Sequence, residues 1–306
     1  MMVKALIADT IHEDGVKMMR DAGLKLELKT KITADELKKV IGGYDAIVVR
    51  SRTKLTKEVL ENSGKLKVIA RSGVGLDNVD VAYAKERGIE VYNSPEAPSN
   101  AVAELVIGFM LDLARNISRG DHGLKQGNWL KDELEGFELS GRTLGIIGFG
   151  RIGYLLGKKA KALGMNVLAY DVMMDKLRHL VAEIGAKDVA MDRLLAESDF
   201  VSVHVPLLPQ TKNMIGAAQF NKMKKGSYII NAARGGIVDE AALKAALDSG
   251  KLAGAALDVF EGEPNPDPEL VTRSNVVCTP HIGASTEEAQ VGNSTIVAEK
   301  PINFFK

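Results

Sequence analysis

A chain of 306 residues is long enough for about two domains with a core in each, which excludes a stapled miniprotein. Hydrophobic residues at 45% and charged residues at 26% describe an ordinary soluble globular protein, neither a disordered chain nor a membrane protein. The 40 Lys and Arg balance the 40 Asp and Glu, so no global field gathers nucleic acid or an anionic membrane, and any anion site must be local. The single cysteine, Cys278, cannot form an internal disulfide, and no Cys and His cluster has zinc spacing. A reducing, cytoplasmic compartment and no structural metal are therefore expected. The apolar run at residues 3–8 is interrupted by Lys4 and closed by Asp9, too short for a signal segment. Residues 101–114 carry Glu104 and Asp112 and fall short of the roughly 20 apolar residues a membrane span needs.

In chain order, short β-branched runs predict strands at residues 3–8, 46–49, 66–70 and 89–92. A second series follows at 143–147, 166–170, 200–203, 228–230, 254–257 and 275–278, with mostly helix-length intervals. The runs are continuously apolar rather than alternating, which suits parallel strands covered on both faces. The pattern predicts an α/β protein with two doubly wound parallel-sheet domains. Their boundary is expected near Asn93-Ser94-Pro95-Glu96-Ala97-Pro98, with Ser99 or Asn100 capping the next helix. That helix is predicted over residues 101–118. Its apolar residues nearly encircle it, and Gly108 would allow close approach, so burial at a domain or dimer interface is expected. A last helix is predicted over residues 286–299, with Pro301 near its end.

The strand at 143–147 runs into Gly148-Phe149-Gly150-Arg151-Ile152-Gly153 and then into helical residues 154–163. In this context Gly148 makes the tight turn, Gly150 lets the backbone approach a pyrophosphate, and Gly153 lets helix pack on strand, leaving helix N-terminal amides for the anion. Asp171 ends the next strand, 18 residues beyond Gly153, where an acid accepts from ribose hydroxyls and repels a 2′-phosphate. Val172 follows it, and NAD rather than NADP is expected.

Of the five histidines, His12, His122 and His179 lie in polar, helix-like contexts where exposure is the better expectation. His204 follows a strand and precedes Val205-Pro206, so it would line a nicotinamide site at the carboxyl end of the sheet. His281 also lies at a carboxyl end, after Thr279-Pro280, and is the stronger candidate for a general base. A histidine base gains from a carboxylate that orients its ring, and Glu263, Glu261 and Asp258 are all near enough in sequence to serve. Arg234, in Asn231-Ala232-Ala233-Arg234-Gly235-Gly236, has the planar fork suited to a substrate carboxylate.

Together with His204-Val205-Pro206-Leu207, Leu257-Asp258-Val259-Phe260-Glu261-Gly262-Glu263-Pro264 and Thr279-Pro280-His281-Ile282-Gly283, these segments resemble the D-isomer-specific 2-hydroxyacid dehydrogenase family over nearly the whole chain. The resemblance implies a Rossmann NAD-binding domain, residues 98–284, inserted into a flavodoxin-like substrate domain of residues 1–97 and 285–306. It assigns Arg234 to the substrate carboxylate and keto oxygen, Glu263 to orienting the histidine, and His281 to acid/base catalysis. It also implies that NAD is approached by Val74, Arg151, Ile152, Asp171, His204, Val205, Pro206, Ala232, Ala233, Arg234, Asp258, His281, Ile282, Gly283 and Ala284.

The segments Val49-Arg50-Ser51-Arg52-Thr53-Lys54-Leu55-Thr56 and Ala70-Arg71-Ser72-Gly73-Val74-Gly75-Leu76-Asp77-Asn78-Val79-Asp80 resemble the branch of this family that oxidises D-3-phosphoglycerate at the entry to serine synthesis. Arg50 and Arg71 each follow a strand, placing cations where the second anionic end of a phosphorylated acid would bind, beside Gly73, Val74 and Gly75. Lys131, after Trp129, is weighed as a cation lent to a partner subunit, with an ordinary surface role favoured. Reduction of glyoxylate, hydroxypyruvate or another small 2-oxo acid is the alternative, and an NAD-sensing corepressor a remote one. Long family members carry a C-terminal regulatory ACT domain, which is not expected after Lys306. A homodimer through residues 98–124 is expected.

Overall fold

The protein is described by a computed structural model covering residues 2–306. The chain separates into two compact units, Met1–Ser99 with Ala284–Lys306, and Asn100–Gly283. It runs through β1 (Lys4–Ile7), α1 (Glu13–Asp21), β2 (Lys25–Leu28), α2 (Ala34–Val40), β3 (Ala46–Val49), α3 (Lys57–Leu60), β4 (Val68–Arg71), α4 (Val81–Glu86) and β5 (Glu90–Asn93). After α5 (Ser99–Arg115) and α6 (Ile117–Lys125) come β6 (Thr143–Ile147), α7 (Arg151–Ala162), β7 (Asn166–Tyr170), α8 (Met174–Glu183), β8 (Lys187–Asp188), α9 (Met191–Glu197) and β9 (Phe200–Val203). The chain continues with α10 (Ala217–Lys222), β10 (Ser227–Asn231), α11 (Glu240–Asp248), β11 (Leu252–Leu257), α12 (Pro268–Val271), β12 (Val276–Cys278) and α13 (Glu287–Phe304).

Each unit holds one parallel sheet, five-stranded in the order β2-β1-β3-β4-β5 and seven-stranded in the order β12-β11-β10-β9-β6-β7-β8. The α/β fold of two doubly wound sheets is therefore present. The strands read as continuous apolar runs because both faces are covered. In the first unit Leu6, Ile47 and Ile69 enter one core while Ala5, Ile7, Val48 and Ala70 enter the other, where Val297, Ala298 and Ile302 of α13 meet them. In the second unit Ile146, Phe200 and Ile230 face one core and Ile147, Val201 and Ile229 the other. Strand order reverses between β1 and β3 and between β6 and β9, and ligands of such sheets bind beyond the strand carboxyl ends at these points.

Several expectations need correction. β2 and β8 were not expected, because Lys25-Leu26-Glu27-Leu28 alternates on an edge and β8 is two residues long, so neither presents an apolar run. β4 begins at Val68 rather than residue 66, and β11 already at Leu252. The helix expected over residues 101–118 is two helices. Asn116 takes the left-handed conformation at φ 54°, which asparagine tolerates, and ends α5, while the Asp112 carboxylate accepts from the Ser118 amide at 2.8 Å and from its hydroxyl. Within the single chain Val102, Val106, Phe109 and Met110 of α5 are buried, while Leu111 is exposed and nothing lies within 4 Å of a Cβ built on Gly108. α13 runs beyond residue 299, through Pro301 to Phe304.

Candidate active site

The glycine loop after β6 is built by backbone constraints. Gly148 has φ 94°, and a Cβ there would stand 2.8 Å from the His204 carbonyl carbon. A Cβ at Gly153 would stand 2.4 Å from the Gly148 oxygen, so only glycine lets α7 lie this close to the loop. Around Gly150, the N-cap of α7, nothing lies within 4 Å of the same position. The start of this 12-residue helix is thus open to a ligand while the two flanking glycines are closed against protein. The Asp171 carboxylate accepts the Phe149 amide at 2.8 Å through one oxygen and the Met173 amide at 2.8 Å through the other, tying the loop to the end of β7. His204 follows β9, directly across the sheet from this loop. Its Nε2 lies 2.9 Å from the Ser202 hydroxyl, its buried Nδ1 has no partner among the described residues, and burial pushes its pKa down to about 4. A helix start open at Gly150, an acid at the end of the next strand and the buried His204 ring nitrogen fit a dinucleotide's pyrophosphate, ribose and polar rim.

The second constellation sits on the loops after β10, β11 and β12 of the same sheet. His281 is held at φ 54°, a conformation a histidine adopts only when its surroundings impose it. They do so through Asp258, 1% exposed, whose carboxylate accepts the Thr279 hydroxyl at 2.6 Å and the Ile282 and Gly283 amides at 2.8 Å each. The His281 ring then presents Nδ1 to Glu263 Oε2 at 2.8 Å, while Glu263 Oε1 accepts the Phe260 amide at 3.0 Å. A half-exposed pair of this kind contributes only about 0–1 kcal/mol to stability, so what it fixes is ring orientation and tautomer. The Glu261 amide donates to Glu240 at 2.8 Å, and burial raises the Glu240 pKa. Of the three carboxylates that the sequence left open, Glu263 meets the histidine, Asp258 holds its loop, and Glu261 is used through its backbone.

Arg234 sits in a turn whose shape comes from Asn231, which donates to the Arg234 carbonyl at 2.9 Å and accepts the Ala233 amide at 3.1 Å. A Cβ at Gly235 would lie 1.9 Å from the Phe260 oxygen, so the arginine loop rests directly on the loop that carries Glu263. Cys278 is half-buried with its pKa raised to about 11, chiefly by burial, which disfavours the thiolate. Lys131 and Trp129 lie on the surface beyond α6. His122 and His179 are exposed, whereas His12 is partly covered and caps α1.

In the first unit, Val49 pairs with Arg71, so Arg50 and Arg71 leave adjacent strands at the same end of the sheet. Asp9, at the end of β1 and 3% exposed, was not singled out from the sequence. Its carboxylate accepts the Arg50 amide at 2.6 Å and the Thr53 hydroxyl at 2.8 Å, and pairs with Arg52 at 2.9 Å. Arg52 is further spent on the carbonyls of Ala8, Thr30 and Ile32. The Arg50 guanidinium reaches the Thr10 carbonyl at 3.2 Å, and that of Arg71 the Ser72 carbonyl at 3.2 Å. Among the described residues no cluster of His, Cys, Asp and Glu could hold a metal ion, and no helix is long and apolar enough to cross a membrane.

Residues 107–283 match the family model for the D-isomer specific 2-hydroxyacid dehydrogenase NAD binding domain. The chain is 49% identical to the D-3-phosphoglycerate dehydrogenase of Methanocaldococcus jannaschii over 300 residues, 98% of this chain and 57% of that one. It is also 49% identical to the hydroxypyruvate reductase of Thermotoga maritima over 288 residues, 93% of this chain and 92% of that one. A D-lactate dehydrogenase from Aquifex aeolicus, solved with NAD and lactic acid, superposes with a TM-score of 0.84 at 33% identity, covering 99% of this chain and 95% of the other. The chain belongs to the D-isomer specific 2-hydroxyacid dehydrogenase family, and its second unit carries that family's NAD-binding domain. It spans a little over half the length of the phosphoglycerate dehydrogenases it matches, 57% and 58% in two archaeal cases.

Proposed function

We propose that the protein oxidises D-3-phosphoglycerate to 3-phosphooxypyruvate, the first step of serine biosynthesis, with NAD as cofactor. The observation that carries the chemistry is the 2.8 Å contact between His281 Nδ1 and Glu263 in the unit that also holds the glycine loop. With Nδ1–H donating to Glu263, the lone pair of the neutral ring is on Nε2, positioned to take the proton of the C2 hydroxyl. The C2–H bond then breaks with its electron pair leaving as hydride, and the C2–O bond becomes a carbonyl. Bound at the glycine loop, NAD supplies the acceptor for that hydride. Glu263 stabilises the imidazolium so formed, and Arg234 forks onto the substrate carboxylate and the developing keto oxygen. Asp171 selects NAD by accepting from ribose hydroxyls, with Val172 exposed beside it in place of a cation.

Arg50, Arg71 and the turn of Gly73, Val74 and Gly75 are assigned to the substrate, with the arginines on the phosphate. Their departure from adjacent strand ends supports this, as does similarity to phosphoglycerate dehydrogenases along 98% of the chain. In this reading residues 1–97 and 285–306 are the substrate domain and 98–284 the NAD domain. The remaining cofactor contacts are Val74, Arg151, Ile152, the segment from His204 to Pro206, Ala232, Ala233, Asp258, Gly283 and Ala284. A homodimer is proposed through residues 98–124, where Gly108 is open and Leu111, Ile117 and Leu124 are exposed, and the single thiol favours the cytoplasm. A second reading, hydroxypyruvate reduction by the same triad, draws support from the Thermotoga maritima relative of matching length.

The test is NADH appearance at 340 nm with D-3-phosphoglycerate and NAD, beside NADH consumption with hydroxypyruvate and glyoxylate. A higher kcat/KM for the phosphorylated acid, lost in Arg50→Ala, is expected. Faster turnover of the unphosphorylated acids would keep the triad and transfer the assignment to the second reading.

A further inference from the structure

The loop that the proposed function gives to the substrate is shaped by the far end of the chain. Gly73 has φ 129°, and a Cβ there would stand 1.7 Å from Arg71 Nη1, which donates to the Ser72 carbonyl at 3.2 Å, so the arginine side chain is folded under its own loop. The Gly73 peptide is clipped on both sides by one residue. Its N–H donates to the Ser94 hydroxyl at 2.8 Å, and its carbonyl accepts the Ser94 amide at 3.0 Å. Asn93 adds a bond from its side-chain amide to the Val74 carbonyl at 2.6 Å.

Ser94 is fully buried, and its single hydroxyl proton goes to Asn293 Oδ1 at 2.6 Å. Asn293, 4% exposed, is a polar side chain on the buried face of α13, where burial is costly unless the group is paired. A hydroxyl has one proton and two lone pairs. With the proton drawn toward Asn293, a lone pair is turned toward the Gly73 N–H. The flanking residues leave Asn293 little freedom. A Cβ on Gly292 would lie 3.0 Å from the Ala97 Cβ, and Ser294 accepts the His12 amide at 2.8 Å, with its carbonyl oxygen 2.4 Å from where a Gly15 Cβ would stand. Three successive residues of α13 thus dock on the segment after β5 and on α1.

We propose that Asn293 is a positioning residue for the substrate: through the Ser94 hydroxyl it sets the Gly73 peptide, and with it the turn and the Arg71 guanidinium that receive the anionic groups of the acid. The proposal rests on the reading that residues 73–75 bind the substrate. It predicts that Asn293→Leu raises KM for the acid about tenfold, equivalent to about 1.4 kcal/mol, with kcat and the NADH dissociation constant, to which the turn gives one contact at Val74, each changed less than about threefold.

Ser94→Ala provides a second variant at a smaller volume change. Because Asn293 acts only through Ser94, the double variant should show the KM of Ser94→Ala alone, whereas two independent packing defects would multiply. Hydrogen exchange at the Gly73 amide, measured without substrate, should accelerate in both single variants. Unchanged exchange at Gly73 in Asn293→Leu overturns the clip whatever the substrate proves to be, as does a double variant whose effects multiply. Faster exchange with KM unchanged for D-3-phosphoglycerate, hydroxypyruvate and glyoxylate overturns the positioning role by showing that the turn does not serve the acid. If wild-type protein turns over none of these acids, the failure lies in the proposed function.

Discussion

Two glycine loops close the carboxyl ends of central parallel strands in this protein, and they are held in opposite ways. The loop after β6 passes directly into α7, and its glycines at 148 and 153 are explained by contacts within the loop and with the neighbouring strands. The loop after β4 reaches no helix until Val81, and its shape is imposed by Ser94 from the end of β5 and by Asn293, 199 residues further on. A loop that feeds a helix inherits aligned amides from the helix itself. A loop that does not must borrow its alignment from packed neighbours, which ties its geometry to the docking of α13.

The largest expected effect asks whether the chemical step separates from both loops. His281→Ala should reduce turnover by about 10²-fold or more, with NADH affinity within about threefold of wild type. Equal turnover would remove His281 from its role.

The next measurement sets the loops directly against each other. Gly153→Val forces a side chain against the Gly148 oxygen and should weaken NADH binding at least about tenfold in a fluorescence titration, through lost alignment of the helix start. Gly73→Ala meets both an unfavourable φ and the Arg71 guanidinium, and should raise KM for the acid about tenfold while NADH affinity holds. If both variants damaged the same parameter, the division of labour between the loops would fail.

Smaller in scale is a pH effect at the strand beside the first loop. His204 has its pKa depressed to about 4 by burial, so the unfolded chain binds the proton more readily than the folded one below about pH 6.5. Stability should therefore rise with pH across that window and fall as the solution is acidified toward pH 4. His204→Asn should flatten this part of the urea-midpoint profile. A profile identical to wild type would place the acid sensitivity elsewhere.

Much of this architecture was legible from local sequence. Strands such as Ala46–Val49, Thr143–Ile147 and Phe200–Val203 are continuous apolar runs because parallel strands are covered on both faces, and their residues carry that requirement openly. The glycine loop was equally visible, since the positive φ of Gly148 and the close approach of Gly153 to the Gly148 oxygen are constraints set within a few residues. The edge strands β2 and β8 escaped because an exposed edge makes no such demand, and the break at Asn116 escaped because a single left-handed residue leaves the apolar pattern on either side intact.

The site divides along the same line. Residue types and spacing by themselves determined the two α/β sheets, the glycine loop that opens α7 and the candidate base His281. They left Glu263, Glu261 and Asp258 unresolved as its partner, because choosing among them requires knowing which carboxylate the turn aims at the ring. The family resemblance pointed to Glu263 for this role; the tertiary structure decided that its carboxylate does face the imidazole and that Asp258 is buried under it as a loop clamp. It likewise decided that Asp9, Ser94 and Asn293 matter, since each is a buried polar group whose significance depends on partners brought near by folding rather than by sequence.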